Sequence, residues 1–246
     1  MKKRLLFSDL EKQLFHKNAL VITGMRQVGK TTLMKQLYEQ LNEKGKLWFD
    51  FDNPLEQRLF ENEDYRGIFG RLQNLAEVTK KERLFVFIDE IQNLPRITKI
   101  IKYLIDHFSV KFVVTGSSNY YLKNLFPESL SGRKFLYQLP PLSFDEFLYF
   151  KNKIKSVNTK RIETALMERD IVDYKLYEND YAEYLQFGGF PEVALTSDSE
   201  TKRAILKNIF ISFFEKDLKI LPDYKDIREL RDLILLLVPR VGSMLD

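Results

Sequence analysis

Short apolar runs alternate with helical patterns through residues 1–140 of the chain. The apolar runs predict five strands, Ala19–Thr23, Leu47–Phe51, Leu84–Ile88, Val110–Thr115 and Lys134–Leu139. The stretches between them predict helices at Thr31–Leu41, around Pro54–Leu75, and at Pro95–Phe108 and Asn119–Phe126. Because strands that alternate with helices form parallel sheets covered on both faces, we predict a three-layer αβα core with a mostly parallel five-stranded sheet.

The pattern changes at Pro140-Pro141, after which we find only helical periodicity. Ser143 and Glu146 have the spacing of a capping box, which predicts a helix that runs to Phe150. Further along, tyrosines recur at intervals of three and four residues, on one face of a predicted helix: Tyr174, Tyr177, Tyr181 and Tyr184. We interpret them as a packing stripe, and a ladder that stacks nucleic-acid bases is the alternative.

Residues 24–31, Gly-Met-Arg-Gln-Val-Gly-Lys-Thr, match the phosphate-binding pattern G-x-x-x-x-G-K-[ST]. The match lies between a predicted strand and a predicted helix, which is the context that the pattern requires. Gly24 and Gly29 allow backbone N–H groups to turn towards a polyphosphate, and the helix adds its positive end. Lys30 is expected to reach the β- and γ-phosphates, and the Thr31 hydroxyl is expected to bind Mg²⁺. The predicted nucleotide contacts are Gly24, Met25, Arg26, Gln27, Val28, Gly29, Lys30, Thr31 and Thr32.

Two carboxylates, Asp89 and Glu90, follow the unbroken apolar run Leu84–Ile88. Such a run is typical of a central strand buried on both faces. At the end of this strand, Asp89 is expected to bind Mg²⁺ and Glu90 to act as the general base that activates water. The alternative is a solvated acidic pair that opens a loop.

Polar residues also follow the next predicted strand. Thr115 is our first candidate to orient water against the γ-phosphate, and Ser117 is the second. A turn or helix cap is the alternative for this segment. Arg133 precedes the last predicted strand, where its guanidinium would stabilise charge on a γ-phosphate if a neighbouring subunit delivered it. A surface arginine, or one paired with Glu128, is equally compatible with the sequence.

Composition excludes several kinds of site. The 246 residues include no cysteine and two histidines, so neither a disulfide framework nor a thiolate metal site is available. No apolar run reaches the length of a membrane span, and we expect a cytoplasmic protein. The net charge of +4 permits contact with DNA but supports it weakly, because a lysine-rich surface explains the charge equally simply.

Several ordered motifs resemble a prokaryotic AAA-like ATPase family whose members carry a C-terminal domain of unknown function. The resemblance rests on the stretches 22–32, 87–92, 114–118, 130–133, 139–144 and 188–192. It implies a P-loop core of the additional-strand type with a helical lid, and ATP as the nucleotide. It also implies that Thr115 or Ser117 acts as the sensor, that Arg133 acts between subunits of a homo-oligomer, and that Pro191 lies in a lid motif that contacts the base.

On this basis we assign the ATPase core to residues 1–141, the lid to 142–204 and the start of a winged-helix-like region to 205–246. We expect the chain to be cut from a longer protein. No lid arginine of the kind that senses a γ-phosphate is evident, and Arg203 is a candidate only by its position.

The expected function is Mg²⁺-dependent binding and hydrolysis of ATP, coupled to movement of the lid and of a partner domain. Two alternatives remain at this stage. One is a slow ATP-gated switch, for which the missing lid arginine is the motive. The other is an ATP-dependent module that handles DNA.

Overall fold

The computed structural model describes residues 1–61, 64–79, 82–116, 132–157, 171–213, 215 and 227–237. Its sheet contains the strands β1 (Ala19–Thr23), β2 (Lys46–Asp50), β3 (Phe85–Asp89), β4 (Lys111–Gly116) and β5 (Lys134–Gln138). Their order is β2-β3-β4-β1-β5, and every adjacent pair is parallel. The predicted α/β class with a five-stranded parallel sheet is confirmed.

Strand β4 lies between β1 and β3, as the additional-strand arrangement requires. Its register pairs Ile22 of β1 with Thr115, and Ile88 of β3 with Val114. Asp89 therefore lies beside Thr115 in the sheet. Thr23, the last residue of β1, lies one residue further along, beside Gly116. The chain segments that follow these strands consequently leave the sheet at one edge, which is where ligands bind in sheets of this kind.

The described helices are α1 (Leu6–Lys12), α2 (Lys30–Gln40), α3 (Pro54–Gln57), α4 (Tyr65–Leu75), α5 (Ile97–Phe108), α6 (Phe144–Phe150), α7 (Ile171–Phe187), α8 (Pro191–Leu195), α9 (Ser199–Ser212) and α10 (Ile227–Leu237). Short 3₁₀ turns occupy Arg58–Phe60 and Ile91–Asn93. Helix α1 was not predicted, and Asn119–Phe126 lies outside the described residues.

The predicted helical region around Pro54–Leu75 is broken into two helices and a 3₁₀ turn. Asn53 caps α3 by accepting a hydrogen bond from the Leu55 N–H. A second cap, Asp64, accepts from the Arg66 N–H and starts α4. Two N-caps so close together specify two helix starts, and the prediction of one helical region missed this division.

Apolar residues fill both faces of the sheet. Helices α4 and α5 cover one face, against a cluster that includes Val21, Phe49, Ile88, Val114, Leu72 and Ile101. Helices α1 and α2 cover the other face, against a cluster that includes Leu20, Ile22, Phe87, Val113, Leu10 and Leu33. All five residues of β3 are buried, as its unbroken apolar run predicted.

After β5 the described chain is helical. Helix α6 begins with the predicted capping box, in which the Glu146 N–H donates to the Ser143 hydroxyl and the Ser143 N–H donates to the Glu146 carboxylate. Tyr177 and Tyr184 pack against a cluster centred on Leu142 and Phe147, which agrees with a packing stripe. Within the described ranges, no helix is long and apolar enough to span a bilayer.

Candidate functional site

The phosphate loop, residues 24–31, connects β1 directly to α2. Gly24 has a φ of 155°, and a Cβ added there would lie 2.3 Å from the Leu139 carbonyl oxygen. Gly29 has a φ of 96°, in the left-handed region, and is the N-cap of α2. Both glycines are therefore required by the backbone path, because other residues adopt this conformation only at a cost. The loop follows the path that its sequence pattern predicts.

Lys30 opens α2 and is buried, with 4% of its surface exposed. Its Nζ donates to the carbonyl oxygens of Gly24 at 3.0 Å and Met25 at 2.9 Å. The ammonium group is thus held inside the loop, where a bound phosphate would meet it. A buried ammonium in a loop of inward-turning backbone is well suited to binding a polyphosphate.

The remaining loop residues differ in exposure. Val28 is fully buried and packs in the apolar cluster beneath the loop. Met25, Gln27 and Thr32 are exposed. Gln27 has a φ of 61°, so the loop has a second tight turn between the two glycines. Arg26, Gly29 and Thr31 are partly buried.

At the end of β3, Asp89 is buried, with 5% of its surface exposed. Its Oδ1 accepts a hydrogen bond from the hydroxyl of the fully buried Thr115, which lies beside it on β4. The Glu90 N–H lies 3.3 Å from the Thr115 Oγ1 and 3.2 Å from the Asp89 Oδ1. Thr115 therefore joins the two carboxylate-bearing residues into one hydrogen-bonded unit.

Glu90 has an unusual backbone conformation, with φ and ψ both 50°. A non-glycine residue in the left-handed region costs about 1–2 kcal/mol, so the rest of the structure must impose it. Its carboxylate accepts a hydrogen bond from the side-chain amide of Gln92, a buried residue in the next 3₁₀ turn. Gln92 lies in the stretch 87–92 that carries the family resemblance, but the sequence analysis predicted no role for it.

The phosphate loop and Asp89-Glu90 lie at the same edge of the sheet. The loop continues from the carboxyl end of β1, the acidic pair from that of β3, and only β4 separates these strands. The sheet therefore brings three distant segments of the sequence to one edge. They carry Lys30 with Thr31, Asp89 with Glu90, and Thr115.

The side-chain oxygen atoms at this edge of the sheet suit a magnesium ion that arrives bound to a nucleotide. Mg²⁺ prefers oxygen ligands and usually keeps several waters, with one or two carboxylates and substrate phosphates completing its shell. Asp89 and the Thr31 hydroxyl supply ligands of this kind. In the part of the chain that the structure describes, no three acidic, histidine or cysteine side chains form a cluster that would hold a metal without a nucleotide.

Pro191, in the segment predicted to form a lid, lies beside the phosphate loop. Its ring Cγ lies 4.0 Å from the position that a Cβ on Gly29 would occupy. The preceding turn is anchored by Gly189, whose carbonyl oxygen accepts from the Leu142 N–H at 2.6 Å. A Cβ on Gly189 would lie 2.1 Å from the Leu142 carbonyl oxygen, so the close approach requires glycine. The turn at Gly189 and Pro191, predicted as a lid motif, thus lies beside the phosphate loop.

Of the other predicted site residues, Arg133 lies far from the phosphate loop and Ser117 lies outside the described residues. Arg133 immediately precedes β5, whose first residue is paired with Ala19, so it lies at the amino end of the sheet, opposite the phosphate loop. There its Nε forms an ion pair with the Asp106 Oδ1 at 2.5 Å. Ser117 lies outside the described residues, as does the Glu128 that was considered as a partner for Arg133.

Sequence reasoning also missed Arg4. Its guanidinium is buried with the Glu146 carboxylate, and its Nη1 donates to the Val28 carbonyl oxygen of the phosphate loop at 2.9 Å. The sequence predicted Glu146 as part of the capping box, but it did not predict the ion pair of Glu146 with Arg4. An isolated arginine in a basic N-terminal segment carries no signal of burial.

Comparison with known proteins assigns the family. A family model described as an AAA domain matches residues 16–148, more than half of the chain. The chain belongs to this AAA domain family. A second model, a domain of unknown function (DUF8612), matches residues 178–246 of the AAA protein. The resemblance to AAA-like ATPases with a C-terminal domain of unknown function is therefore confirmed.

Curated relatives of this AAA protein come from bacteria and archaea. An uncharacterized protein of Haemophilus influenzae is 29% identical over 231 residues, covering 92% of this chain and 52% of its own length. An uncharacterized protein of Methanocaldococcus jannaschii is 29% identical over 235 residues, covering 94% and 48%. The chain spans about half the length of these relatives.

Among solved structures, a Walker-type ATPase of Pyrococcus abyssi is 17% identical, with a TM-score of 0.48, over 88% of this chain and 75% of that chain. PCH-2 of C. elegans is 18% identical, with a TM-score of 0.45, over 96% and 66%. The family assignment rests on the matching family model, and the fold rests on the strand order and register described above.

Proposed function

We propose that this AAA protein binds ATP with Mg²⁺ at the carboxyl ends of β1, β3 and β4 and hydrolyses it. The observation that carries the proposal is the hydrogen-bonded unit of Asp89, Glu90 and Thr115 at the same sheet edge as the phosphate loop. A phosphate loop alone is compatible with many reactions. A carboxylate pair held beside it supports water as the nucleophile rather than a second substrate.

In this proposal the chain binds the triphosphate mainly through its backbone. The N–H groups of the loop and the positive end of α2 face the phosphates, and Lys30 exchanges its carbonyl partners for β- and γ-phosphate oxygens. Thr31 and Asp89 would hold Mg²⁺, and the ion would neutralise negative charge on the phosphates. Pro191 lies close enough to Gly29 for the lid to cover the nucleotide.

Glu90 is proposed as the general base. It accepts a proton from a water molecule that attacks the γ-phosphorus, while the bond to the β–γ bridging oxygen breaks and ADP and phosphate leave. Thr115 donates to Asp89 and accepts from the Glu90 N–H, so it is placed to orient the carboxylate of Asp89 and the backbone of Glu90. We propose this orienting role for Thr115 in addition to the sensor role that the family resemblance implies.

The test is phosphate release by the purified chain with Mg²⁺ and ATP, compared with the variants Lys30→Ala and Glu90→Gln. Lys30→Ala should lose binding, whereas Glu90→Gln should retain binding and lose turnover by about a hundredfold or more. Equal phosphate release by the wild type and both variants would reject hydrolysis at this site.

A slow nucleotide-gated switch is the second candidate. It is favoured by the position of Pro191, whose ring lies beside Gly29 of the phosphate loop, so that a change in the loop on nucleotide binding would reach the predicted lid. Arg203, the lid arginine considered from the sequence, is exposed on α9. Tight ATP binding with negligible turnover would support a switch, and rapid multiple turnover would exclude it.

A third candidate, handling of DNA, is favoured by a groove of about 1050 Å³ that α4 and α5 border at the amino end of the sheet. Lys17, Arg66 and Arg83 line it together with the exposed ring of Phe15, and Glu82 is the acidic residue among them. Cations beside aromatic faces are the chemistry that binds single-stranded nucleic acid.

The test for DNA is a mobility-shift titration with single-stranded DNA at low and moderate salt. The double variant Arg66→Ala/Arg83→Ala should weaken association and flatten its salt dependence. Lys99→Ala, which removes an exposed lysine of α5 that does not line the groove, is the matched control. Equal DNA binding by the double variant and by Lys99→Ala would reject the groove as the DNA-binding site.

A further inference from the structure

Arg4 connects three parts of the site that are distant in the sequence. Its Nη1 donates to the Val28 carbonyl oxygen at 2.9 Å, and its Nη2 donates to the Pro140 carbonyl oxygen at 2.7 Å. The Nε and Nη2 atoms bind the two oxygens of Glu146 at 2.8 and 3.1 Å. One guanidinium thus holds the phosphate loop, the end of the core and the first helix of the lid.

This contact is buried. Arg4 is 6% exposed and Glu146 is 3% exposed, and the Leu5 N–H adds a hydrogen bond to the same carboxylate at 2.8 Å. A buried arginine requires partners for its donors, and a bidentate carboxylate with backbone carbonyls supplies them in a planar arrangement. The guanidinium is therefore held in one orientation, which a flexible lysine in its place would not reproduce.

The position of Val28 makes the contact relevant to the site. Val28 lies directly before Gly29 and Lys30, so a hydrogen bond to its carbonyl oxygen acts on the backbone that turns around the phosphates. A second contact braces the same region, because the Gln36 side chain of α2 donates to the Lys2 carbonyl oxygen at 2.8 Å. The N-terminal segment therefore runs against both the loop and the helix that follows it.

We propose that Arg4 is a positioning residue of the nucleotide site, which holds the phosphate loop in its binding conformation and fixes it relative to the lid through Glu146. The proposal rests on the proposed nucleotide binding. Arg4 acts through Val28 and Glu146 and has no contact with the reacting atoms. Small displacements of a binding group reduce its effect steeply, so loosening the loop should weaken the binding of both ATP and ADP.

The experiment compares Arg4→Lys with Lys111→Met. Lys111 is also a buried cation held by backbone carbonyls, but it lies at the start of β4, at the opposite end of the sheet. Both variants remove a buried interaction, so both should lower the unfolding temperature. Binding is measured by titration with a fluorescent ATP analogue and Mg²⁺, at a temperature where every variant is folded, with Lys30→Ala as the non-binding reference.

We expect the dissociation constant to rise about tenfold or more for Arg4→Lys and to stay at the wild-type value for Lys111→Met. Glu146→Gln keeps the shape of the acceptor and the bond to Val28, so its effect should be smaller than that of Arg4→Lys. This variant also tests the proposal if Arg4→Lys fails to fold.

Wild-type affinity in Arg4→Lys, with a fall in unfolding temperature like that of Lys111→Met, would overturn the positioning role and leave nucleotide binding intact. If Arg4→Lys does not fold, wild-type affinity in a folded Glu146→Gln chain overturns the coupling through Glu146. A wild-type titration identical to that of Lys30→Ala would instead reject nucleotide binding at this site, and the role of Arg4 with it. The two failures are therefore distinguishable.

Discussion

The hydroxyl of Thr115 donates a hydrogen bond to the carboxylate of Asp89, across two adjacent parallel strands. The same hydroxyl oxygen accepts from the Glu90 N–H at 3.3 Å. A fully buried threonine thereby fixes both the residue proposed to bind Mg²⁺ and the residue proposed to activate water. The proposed chemistry of this site therefore depends on the hydroxyl of Thr115.

Replacing Thr115 with valine should lower turnover about 10–100-fold while changing the affinity for ATP little. Valine keeps the shape but removes the hydroxyl, so the carboxylate of Asp89 and the N–H of Glu90 lose their shared partner. Thr115→Ser retains the hydroxyl and should keep most of the activity. The measurement is steady-state phosphate release beside a nucleotide titration, and equal rates for the valine and serine variants would contradict the orienting role.

The strained backbone of Glu90 predicts that Glu90→Gly separates stability from activity. Glycine adopts the left-handed conformation without the cost of about 1–2 kcal/mol that other residues incur, so the variant should be at least as stable as the wild type. It should nevertheless release no phosphate, because the carboxylate is gone. Urea unfolding and a turnover assay on the same preparation give the two values, and a clear loss of stability would show that the conformation carries no strain.

Lys111 predicts a pH dependence of stability. It lies fully buried, where its Nζ donates to the carbonyl oxygens of Gln13, His16 and Asn18. Burial, with the nearby charge of Arg83, lowers the pKa of Lys111 to about 7. Lysine in an unfolded chain has a pKa of about 10.4, so between these two values the unfolded state binds more protons.

The free energy of unfolding of the wild type should therefore rise with pH above about 7, relative to Lys111→Met, by up to about 1.4 kcal/mol per pH unit. Below that pH the lysine is charged in both states, so the difference between the two proteins should be constant. Urea unfolding of both proteins between about pH 6 and about pH 9 measures the difference. A difference that does not change with pH would mean that Lys111 stays charged in the folded protein.

Two glycine-to-alanine changes should act in opposite directions. Gly70 lies in α4 and has nothing within 4 Å of an added Cβ, so Gly70→Ala should stabilise the protein by about 0.5–1 kcal/mol. Gly24→Ala places a Cβ 2.3 Å from the Leu139 carbonyl oxygen and should both destabilise the protein and abolish nucleotide binding. Thermal unfolding and a binding titration test the pair, and normal nucleotide binding by Gly24→Ala would contradict the tight packing of the loop.

Arg133 predicts a concentration-dependent activity. In this chain it pairs with Asp106 at the end of the sheet opposite the phosphate loop, so it can reach a nucleotide only in a neighbouring copy. We expect ATP with Mg²⁺ to raise the particle mass in light scattering and turnover per chain to increase with protein concentration. Arg133→Ala should abolish that increase and Asp106→Asn should retain it; turnover per chain that is independent of concentration would reject the inter-subunit role.

The sequence alone predicted the strands well because their signals are local. A run such as Leu84–Ile88 is apolar at every position, and the strand Phe85–Asp89 lies within one residue of it. The phosphate loop was equally clear, because its pattern of two glycines, Lys30 and Thr31 lies within eight consecutive residues. In contrast, the break between α3 and α4 was not predicted. It depends on two N-cap residues within a stretch whose pattern is otherwise helical throughout.

The residues themselves thus determined the α/β class, the family and the chemistry available at Lys30, Asp89 and Glu90. Only the tertiary structure decided that Thr115 binds Asp89, that Arg4 reaches Val28, and that Arg133 lies at the opposite end of the sheet. The physical reason is that strand order and register set these contacts. Both arise from packing across the whole sheet, and no short stretch of sequence contains that information.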